Sequence, residues 1–600
     1  MRLGRRVGAA PRAPWRAASV IAVAASVLGV PAAAATAPAR IAAVLGATTP
    51  PPPQYPGSTP LSRELSLSDV PPPSPTTPPL AAAAPFLRPS FSTGQLRPSL
   101  VPPVPEIIPS RLGSPVQGAV TPYTASTSPG ETLQAFPATS YATDPASAAP
   151  PDTQLATGPG YVGEAVNDAL SVWSRTGGAV GSYNLNSFFS VPSGYSFADP
   201  RIIYDGLSGR WFLSGFSVNS ASDSITYLAV SDSSDPTAGW YVYDLASGAG
   251  VITDQPKIGM SSDKLVISWN AFNSTGSYLG EQTWVLQKSD LLTGSTLAET
   301  QFGLDSTRSG IVPAISESAT TTEYLSYNDT CSGSAGTGTG SCTTGSPALG
   351  IVAITGTPAA GDVVWSEADP AITQTTSPPA ATQPSGVSIN TDDDRLLSVV
   401  WQAGILWAGG NDGCVPTGDT TTRSCARLIE VSTGGSTPTV LTDGDLGFSG
   451  ADLYYPAVVL DGSGEPFVVA TISSSSIYPS VVDFAKPSSS SIFNGSYLWD
   501  GSGGYSCSFC GSSGNRWGDY SGAALDPTNP TDVWVAGEYG TATGGNDWGT
   551  AIGELTLDGP TVTAVSPNSG PTAGGTSVTI TGSNFRPTTS VAFGSSAADH

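Results

Sequence analysis

Residues 199–213 read DPRIIYDGLSGRWFL, and this stretch decides the fold class. An acid and a proline begin it, a run of β-branched and aromatic residues follows, and an Asp/Gly turn separates that run from a second one. Short apolar runs divided by turn residues are typical of β-hairpins. The same order recurs at 254–267 (DQPKIGMSSDKLVI), at 455–469 (YPAVVLDGSGEPFVV) and at 519–536 (DYSGAALDPTNPTDVWVA). The chain therefore repeats one unit built on a hairpin.

Further copies of this unit indicate how the units assemble. Weaker copies begin near residues 151, 312 and 387, which makes about seven units of 40–70 residues between 150 and 558. No unit is long enough to bury a two-sheet core of its own, which disfavours a row of independent β-sandwiches. Four-stranded sheets arranged around an axis avoid long exposed edges. The sequence predicts an all-β fold whose body, 150–558, is a β-propeller of about seven blades; within it, residues 162–174 fit either a short helix or two strands.

The first 35 residues have the order of a secretory signal peptide. Five arginines precede or border an apolar run from Ala17 to Val30, and small residues follow up to Ala35. The run is shorter than the ~20 residues that a membrane-spanning helix needs, and no later apolar run is long enough either. The sequence predicts a secreted, extracellular protein without a transmembrane helix after signal cleavage.

Proline dominates the next segment, residues 36–149. Residues 38–150 hold 26 of the 54 prolines of the chain, including the runs 50–53 and 71–73. Proline lacks a backbone N–H and neither continues a helix nor pairs within a sheet. We expect a disordered stalk that holds the folded part away from a surface such as a cell wall.

Net charge narrows the class of partner. The chain carries a net charge of −24, and because the signal peptide holds five arginines and no acid, its removal lowers this value to −29. So acidic a protein repels phosphate backbones, which argues against nucleic acid as a partner.

The six cysteines fall into three local pairs, which is consistent with an oxidising compartment. We predict disulfides between Cys331 and Cys342, between Cys414 and Cys425, and between Cys507 and Cys510. A zinc site at Cys507/Cys510 is disfavoured because no second such pair exists and the only histidine is His600.

Two resemblances to known families add to this interpretation. Residues 150–156 (PPDTQLA), 199–212, 233–241 and 516–520 (RWGDY) resemble bacterial secreted proteins of propeller type, which implies fold and location more than activity. Residues 560–585 read PTVTAVSPNSGPTAGGTSVTITGSNF and resemble the opening of an IPT/TIG domain, an immunoglobulin-like β-sandwich. We therefore assign 559–600 to this domain and expect it to be incomplete at residue 600.

Catalytic machinery based on histidine is missing from this sequence. Because His600 is the only histidine, Ser-His-Asp, Cys-His and histidine-ligated metal sites are excluded from the body of the chain. Glycoside hydrolysis needs only two carboxylates and stays open as an alternative, in the mouth of the propeller channel. The Ser-x-Asp-x-Gly-x-Thr-Trp repeat of sialidases does not occur.

Four acids each precede the first strand of a predicted unit, which in a propeller lines the central channel: Asp152, Asp199, Asp254 and Asp519. Gathered at one channel mouth, they would hold Ca²⁺, which prefers oxygen ligands. The alternative is that each acid bonds only to its own turn or to the neighbouring backbone.

Three tryptophans near predicted loops are candidates for stacking on a sugar ring: Trp240, Trp517 and Trp548. The alternative role for each is packing in the core. The stalk, the repeat scaffold, the acidic charge and the immunoglobulin-like module favour a binding or adhesion protein at the cell surface over an enzyme. Its ligand would be a polysaccharide or a protein.

Overall fold

The computed structural model describes residues 49–71, 131–145, 148–329, 346–490, 493–507, 515–559, 561–567, 576–583, 592–593 and 596–597. The chain divides into two compact units, Met1–Ala42 and Ala43–His600, and every described residue belongs to the second. The predicted signal peptide lies outside the described residues, so export remains a prediction. Within the described part of the chain, no helix is long and apolar enough to cross a membrane.

Antiparallel four-stranded meanders make up most of the structure, and five of them form separate sheets. The first sheet contains β4 (Gln154–Thr157), β5 (Tyr161–Val166), β6 (Ala169–Ser174) and β7 (Ala179–Asn184), and the second contains β8 (Tyr195–Asp205), β9 (Arg210–Asn219), β10 (Ser224–Ser231) and β11 (Gly239–Gly248), with β2 (Arg63–Ser66) added. The third contains β16 (Val312–Pro313), β18 (Glu323–Asp329), β19 (Ala348–Thr355) and β20 (Val364–Ala368), and the fourth contains β25 (Asp452–Leu460), β26 (Pro466–Ser474), β27 (Ile477–Ala485) and β28 (Asn494–Trp499). The fifth contains β29 (Gly522–Leu525), β30 (Asp532–Gly540) and β31 (Trp548–Thr556), with β3 (Glu131–Ser140).

A ten-stranded sheet contains two further meanders and explains why the blade count differs from the prediction. It consists of β1 (Gln54–Thr59), β15 (Leu297–Asp305), β14 (Tyr278–Gln287), β13 (Lys264–Asn273), β12 (Val251–Met260), β17 (Ile315–Ser316), β21 (Leu396–Gln402), β22 (Ile405–Cys414), β23 (Arg423–Ser432) and β24 (Thr439–Leu446). The two-residue strand β17 pairs in parallel with β12 and with β21 and so joins the two meanders. The separate blades number five, and the expectation of about seven was wrong in this respect.

The remaining elements are short. Helices α1 (Leu185–Phe188) and α2 (Lys288–Leu291) and a 3-10 helix (Leu67–Asp69) have a single turn each. Four strands follow the propeller in two pairs, β32 (Thr561–Ser566) with β33 (Thr579–Ser583) and β34 (Ala592–Phe593) with β35 (Ser596–Ala597). Residues 162–174, which fitted either a helix or two strands, form parts of β5 and β6.

Two stretches of the proline-rich segment are ordered, which corrects the expectation of a stalk throughout 36–149. Strand β1 pairs with β15 and strand β2 with β11, in each case as an added outer strand. Strand β3 pairs with β31 along its length, with register shifts on both sides of its middle, the second beginning at Pro137. Proline is tolerated in edge strands and at such irregularities, so its abundance did not exclude these strands.

Ring closure depends on apolar packing between the meander that contains β29–β31 and the one that begins with β4. Leu155 and Val162 of the first sheet pack in one buried cluster with Trp534, Ala536 and Ile552. The inner strands are buried on both faces, and β25 and β26 are buried at every residue. Continuous apolar runs with β-branched residues suit such strands. Secondary structure and packing therefore confirm an all-β propeller arrangement.

Asparagine side chains connect consecutive meanders at the hub. Asn167, Asn270 and Asn411 each follow or lie in the second strand of a meander, and each presents its Oδ1 to the next meander. These oxygens accept hydrogen bonds from the backbone N–H of Asp199 (2.8 Å), Gly310 (3.1 Å) and Tyr455 (2.7 Å). All three recipients have a positive φ, of 51°, 62° and 55°.

The backbone at these points makes a sharp bend that needs this support. A positive φ is costly for residues other than glycine. At Asp199 and Tyr455, a register shift in the strand coincides with the bend and a proline follows it. The asparagine pairs the N–H that the bend removes from the ladder, which would otherwise be buried without a partner.

One predicted disulfide lies wholly within the described residues and is confirmed. Cys414 and Cys425 are bonded across the β22–β23 hairpin. Cys331, Cys342 and Cys510 lie outside the described residues, so the other two pairings remain predictions.

Replacing Asn411 by alanine should weaken the contact between the β21 and β25 meanders. Asn411 is fully buried, donates to Thr391 O at 2.8 Å and accepts from Tyr455 N, so the change leaves two backbone groups without partners. We expect a loss of about 1–3 kcal/mol, seen as a lower unfolding temperature in calorimetry. The control is Asn273→Ala, which removes bonds only in an exposed turn; an equal effect of both changes would contradict the role of Asn411.

Candidate functional site

Three of the four predicted acids meet at one mouth of the central channel, where the amino ends of the inner strands lie. We call this end the upper mouth. Asp152, Asp199 and Asp519 are 2%, 7% and 1% exposed, and one carboxylate oxygen of each lies within 4.8 Å of the others. Asp152 lies just before β4, Asp199 lies in β8, and Asp519 lies just before β29.

Local backbone geometry and one asparagine position these acids. Asp152 and Asp199 both have a φ of 51°. Asn167 donates from Nδ2 to Asp152 Oδ2 at 2.7 Å and accepts from the Asp199 N–H. The Asp519 N–H donates to Asp152 Oδ1 at 2.8 Å. The Asp152 carboxylate is therefore held by one side-chain amide and by one backbone N–H of a neighbouring meander.

Asp254, the fourth predicted acid, is not part of this group. A register shift in β12 between Asp254 and Lys257 makes Gln255 the residue with the positive φ, also 51°. The Gln255 N–H donates to Asp199 Oδ2 and its Nε2 to Asp519 Oδ2, both at 3.0 Å. Gln255 therefore occupies the place at the channel mouth that was predicted for Asp254, the residue directly before it.

A fourth carboxylate near the group, Glu538 in β30, was missed by the sequence analysis. A Cβ atom built on Gly518 would lie 3.2 Å from Glu538 Oε2 and 3.4 Å from Asp152 Oδ1. Glu538 is 3% exposed, and within the described residues its Oε1 has no hydrogen-bond partner. Burial first, and then the charge of Asp152, raise the pKa of Glu538 well above its ordinary value. A cation bound beside this carboxyl group would favour its ionised form.

Basic groups also lie at the hub, and Lys257 and Arg395 both donate to Gln255 Oε1, at 3.5 Å and 3.0 Å. Arg516 donates from Nη2 to Asp519 Oδ1 at 2.6 Å. The guanidinium of Arg201 stacks over the ring of Tyr520, 3.6 Å from its centroid. A cation bound between carboxylates this close together would reduce their mutual repulsion.

The donor set fits a calcium ion. Calcium takes roughly six to eight oxygen ligands at about 2.3–2.6 Å, so ligands on opposite sides of the ion lie about 5 Å apart. One oxygen each of Asp152, Asp199 and Asp519 lies within 4.8 Å of the others, a separation that one such ion can bridge, and Glu538 is a further carboxylate close to Asp152. Such an ion would neutralise the hub and fix three inner strands relative to one another.

Residues 369–395, 500–507 and 515–521, which belong to two connecting segments, cover the upper mouth. Gln383 and Tyr505 exchange hydrogen bonds, from Gln383 Nε2 to Tyr505 O at 2.7 Å and from Tyr505 N to Gln383 Oε1 at 2.9 Å. Ile389, Tyr505 and Trp517 belong to one buried apolar cluster. Burial, and then the charge of Glu538, raise the pKa of Tyr505 well above its ordinary value. The acids therefore lie beneath a packed cover rather than in an open cleft.

The three candidate stacking tryptophans are also buried, which corrects the expectation that they line a ligand surface. Trp240 and Trp517 are 1% exposed and Trp548 is fully buried. Their indole N–H groups donate to Pro236 O, Thr471 Oγ1 and Ala148 O at 2.8–3.1 Å. Each ring is satisfied within the protein core, so none presents a face to a sugar.

Comparison with protein families identifies the end of the chain. Residues 560–599 match the IPT/TIG domain. This agrees with the resemblance seen in the sequence. The IPT/TIG domain accounts for the strands β32–β35, which follow the propeller. No curated protein matches the chain.

Several solved structures resemble the chain weakly. A protein of unknown function from Dyadobacter fermentans has 12% identity over 61% of this chain and 96% of its own, with a TM-score of 0.32. Trypanosoma rangeli sialidase has 11% identity over 64% of this chain and 57% of its own, with a TM-score of 0.32. An α-L-arabinofuranosidase from Fusarium graminearum has 10% identity over 68% of this chain and 94% of its own, with a TM-score of 0.33. At these values the likeness carries no argument about substrate or reaction.

Calcium should raise the unfolding temperature of the full chain, and a chelator should lower it. An ion at 100 times its dissociation constant stabilises the folded state by about 2.7 kcal/mol. The double variant Asp152→Asn/Asp519→Asn should lose this difference, whereas Asp69→Asn, at an exposed acid, should keep it. Identical unfolding of the unaltered protein in calcium and in chelator would refute the cation site.

Proposed function

We propose that this chain is an extracellular binding or adhesion protein whose propeller is a rigid, cation-stabilised scaffold. The observation that carries the proposal is the cover over the upper mouth: the acids at the hub face protein on all sides that the structure describes. A polymer that binds here would have to displace the packed contacts of Gln383, Tyr505 and Trp517.

The same observation speaks against the alternative, a secreted carbohydrate-active hydrolase with a carboxylate pair in this mouth. Glycosidases place their two carboxyl groups on either side of the scissile bond, about 5–10 Å apart and in contact with substrate. Here the backbone N–H of Asp519 donates to Asp152 Oδ1 and both acids are buried, with no room for a sugar between their carboxylates. This geometry supports holding a cation more than cleaving a glycosidic bond.

Charge and modular construction support the binding role and its location. The net charge of −24 favours solubility outside the cell and disfavours nucleic acid as a ligand. An IPT/TIG module joined to a propeller provides a second, immunoglobulin-like surface. We propose a polysaccharide or a protein of the cell surface as the ligand and a secreted, wall-associated location.

A sedimentation assay with insoluble polysaccharides and cell-wall preparations tests this proposal. The full chain is the right sample, because β1, β2 and β3 belong to the propeller sheets. We expect the protein to sediment with at least one of these materials while no soluble sugar appears in the supernatant. Release of sugar that disappears in Asp152→Asn and in Glu538→Gln, but not in Asp69→Asn, would establish the hydrolase instead.

A further inference from the structure

The opposite end of the channel, at the carboxyl ends of the inner strands, is open and has a different chemistry. We call it the lower mouth. A cavity of about 250 Å³ enters the channel here, and its wall is mainly apolar, with Ile203, Met260, Ile315, Val400 and Val458 contributed by different inner strands. An apolar cavity of about 150 Å³ is large enough to bind benzene. This one therefore accommodates an aromatic ring with a short side chain.

A polar recess of about 460 Å³ adjoins this apolar cavity. The cavity and the recess share Glu317, Leu525 and Pro530 in their walls, so Glu317 lies at the junction. The recess also contains Gln402 and Glu430. An apolar chamber with a few polar groups at one side is the usual form of a small-molecule site.

The charged residues in the walls of the cavity and the recess are all acidic. Neither chamber has a lysine or an arginine in its wall among the described residues. Asp205 and Asp526, which also line the apolar cavity, are neutralised from outside it by Lys288 (2.8 Å) and by Arg175.

Glu317 differs from these two acids because no described basic residue forms an ion pair with it. Among the residues that the structure describes, its carboxylate oxygens accept only from the Leu460 N–H, and the shorter of the two contacts is 3.2 Å. Burial, and to a lesser degree the nearby Asp461, raise the pKa of Glu317 well above its ordinary value. This is the behaviour of a carboxyl group without a cationic partner.

We propose that the lower mouth binds a small organic cation, an apolar body that carries a protonated amine. The body occupies the apolar cavity, and the ammonium group lies at the junction against Glu317, with Glu430 in the recess beyond it. A carboxylate-bearing ligand is excluded by the acids, and a purely apolar one leaves Glu317 unpaired. The site is separate from the covered acids of the upper mouth and does not depend on the binding role proposed above.

Calorimetric titration of the full chain with three related probes tests this inference. The probes are 2-phenylethylammonium, the neutral 2-phenylethanol and the anionic 3-phenylpropionate, all at neutral pH. We expect the ammonium to bind about tenfold more tightly than the alcohol, and the carboxylate to show no binding up to about 10 mM. Equal affinity for the three probes, or no binding of the ammonium in this range, would overturn the proposal.

Variants separate the charge from the cavity. Glu317→Gln should remove the preference for the ammonium over the alcohol and leave binding of the alcohol unchanged, whereas Glu64→Gln, at an exposed glutamate in β2, should change neither. Ala524→Phe, at a partly exposed residue of the cavity wall, should weaken both probes about tenfold by filling the space. An unchanged unfolding temperature shows that each variant is folded. Retention of the preference in Glu317→Gln would contradict the assignment of the ammonium to this carboxyl group.

Discussion

The hub of this propeller depends on one backbone constraint, a residue with a positive φ near the start of several inner strands. At Asp199, Gly310 and Tyr455 the backbone N–H that lies outside the strand ladder donates to the side chain of an asparagine in the preceding meander. The hydrogen bond ties the start of each of these inner strands to the preceding meander. At Asp199 the same hydrogen-bonded bend joins two meanders and also places one of the hub carboxylates.

The bends at the starts of the inner strands explain which site residues could be predicted from the sequence and which could not. Strands, turns and the repeat were readable, since runs such as Val458–Leu460 and the turns after them follow period and composition. The association of Asp152, Asp199 and Asp519 was also predictable, because equivalent positions around a ring converge. Asp254 was misplaced by one residue although the sequence holds the signal: the residue with the positive φ comes directly before a proline, and before Pro256 that residue is Gln255. Glu538 was missed because it lies on a second strand, where side-chain direction depends on the exact pairing.

Burial was the property that sequence predicted least well. Trp240, Trp517 and Trp548 follow or precede turn residues, which suggested loops, yet all three are in the core. Long connecting segments are normally surface features, whereas residues 369–395, 500–507 and 515–521 fold over the hub and share an apolar cluster with residues of the propeller strands. Consequently the two channel mouths differ: one is acidic and closed, the other apolar and open, with Glu317 at its side.

The pairing of β3 with β31 has a consequence for the order in which the protein is made. Thr139 and Thr550 are hydrogen-bonded although 411 residues separate them. At a synthesis rate of about 5–20 residues per second, roughly 20–80 s pass between the appearance of the two partners on the ribosome. Throughout this interval β3 has no partner and is open to pairing with a strand of another molecule. Pro137 removes one N–H from β3, so β3 is a poorer template for a strand of another molecule until β31 has been synthesised.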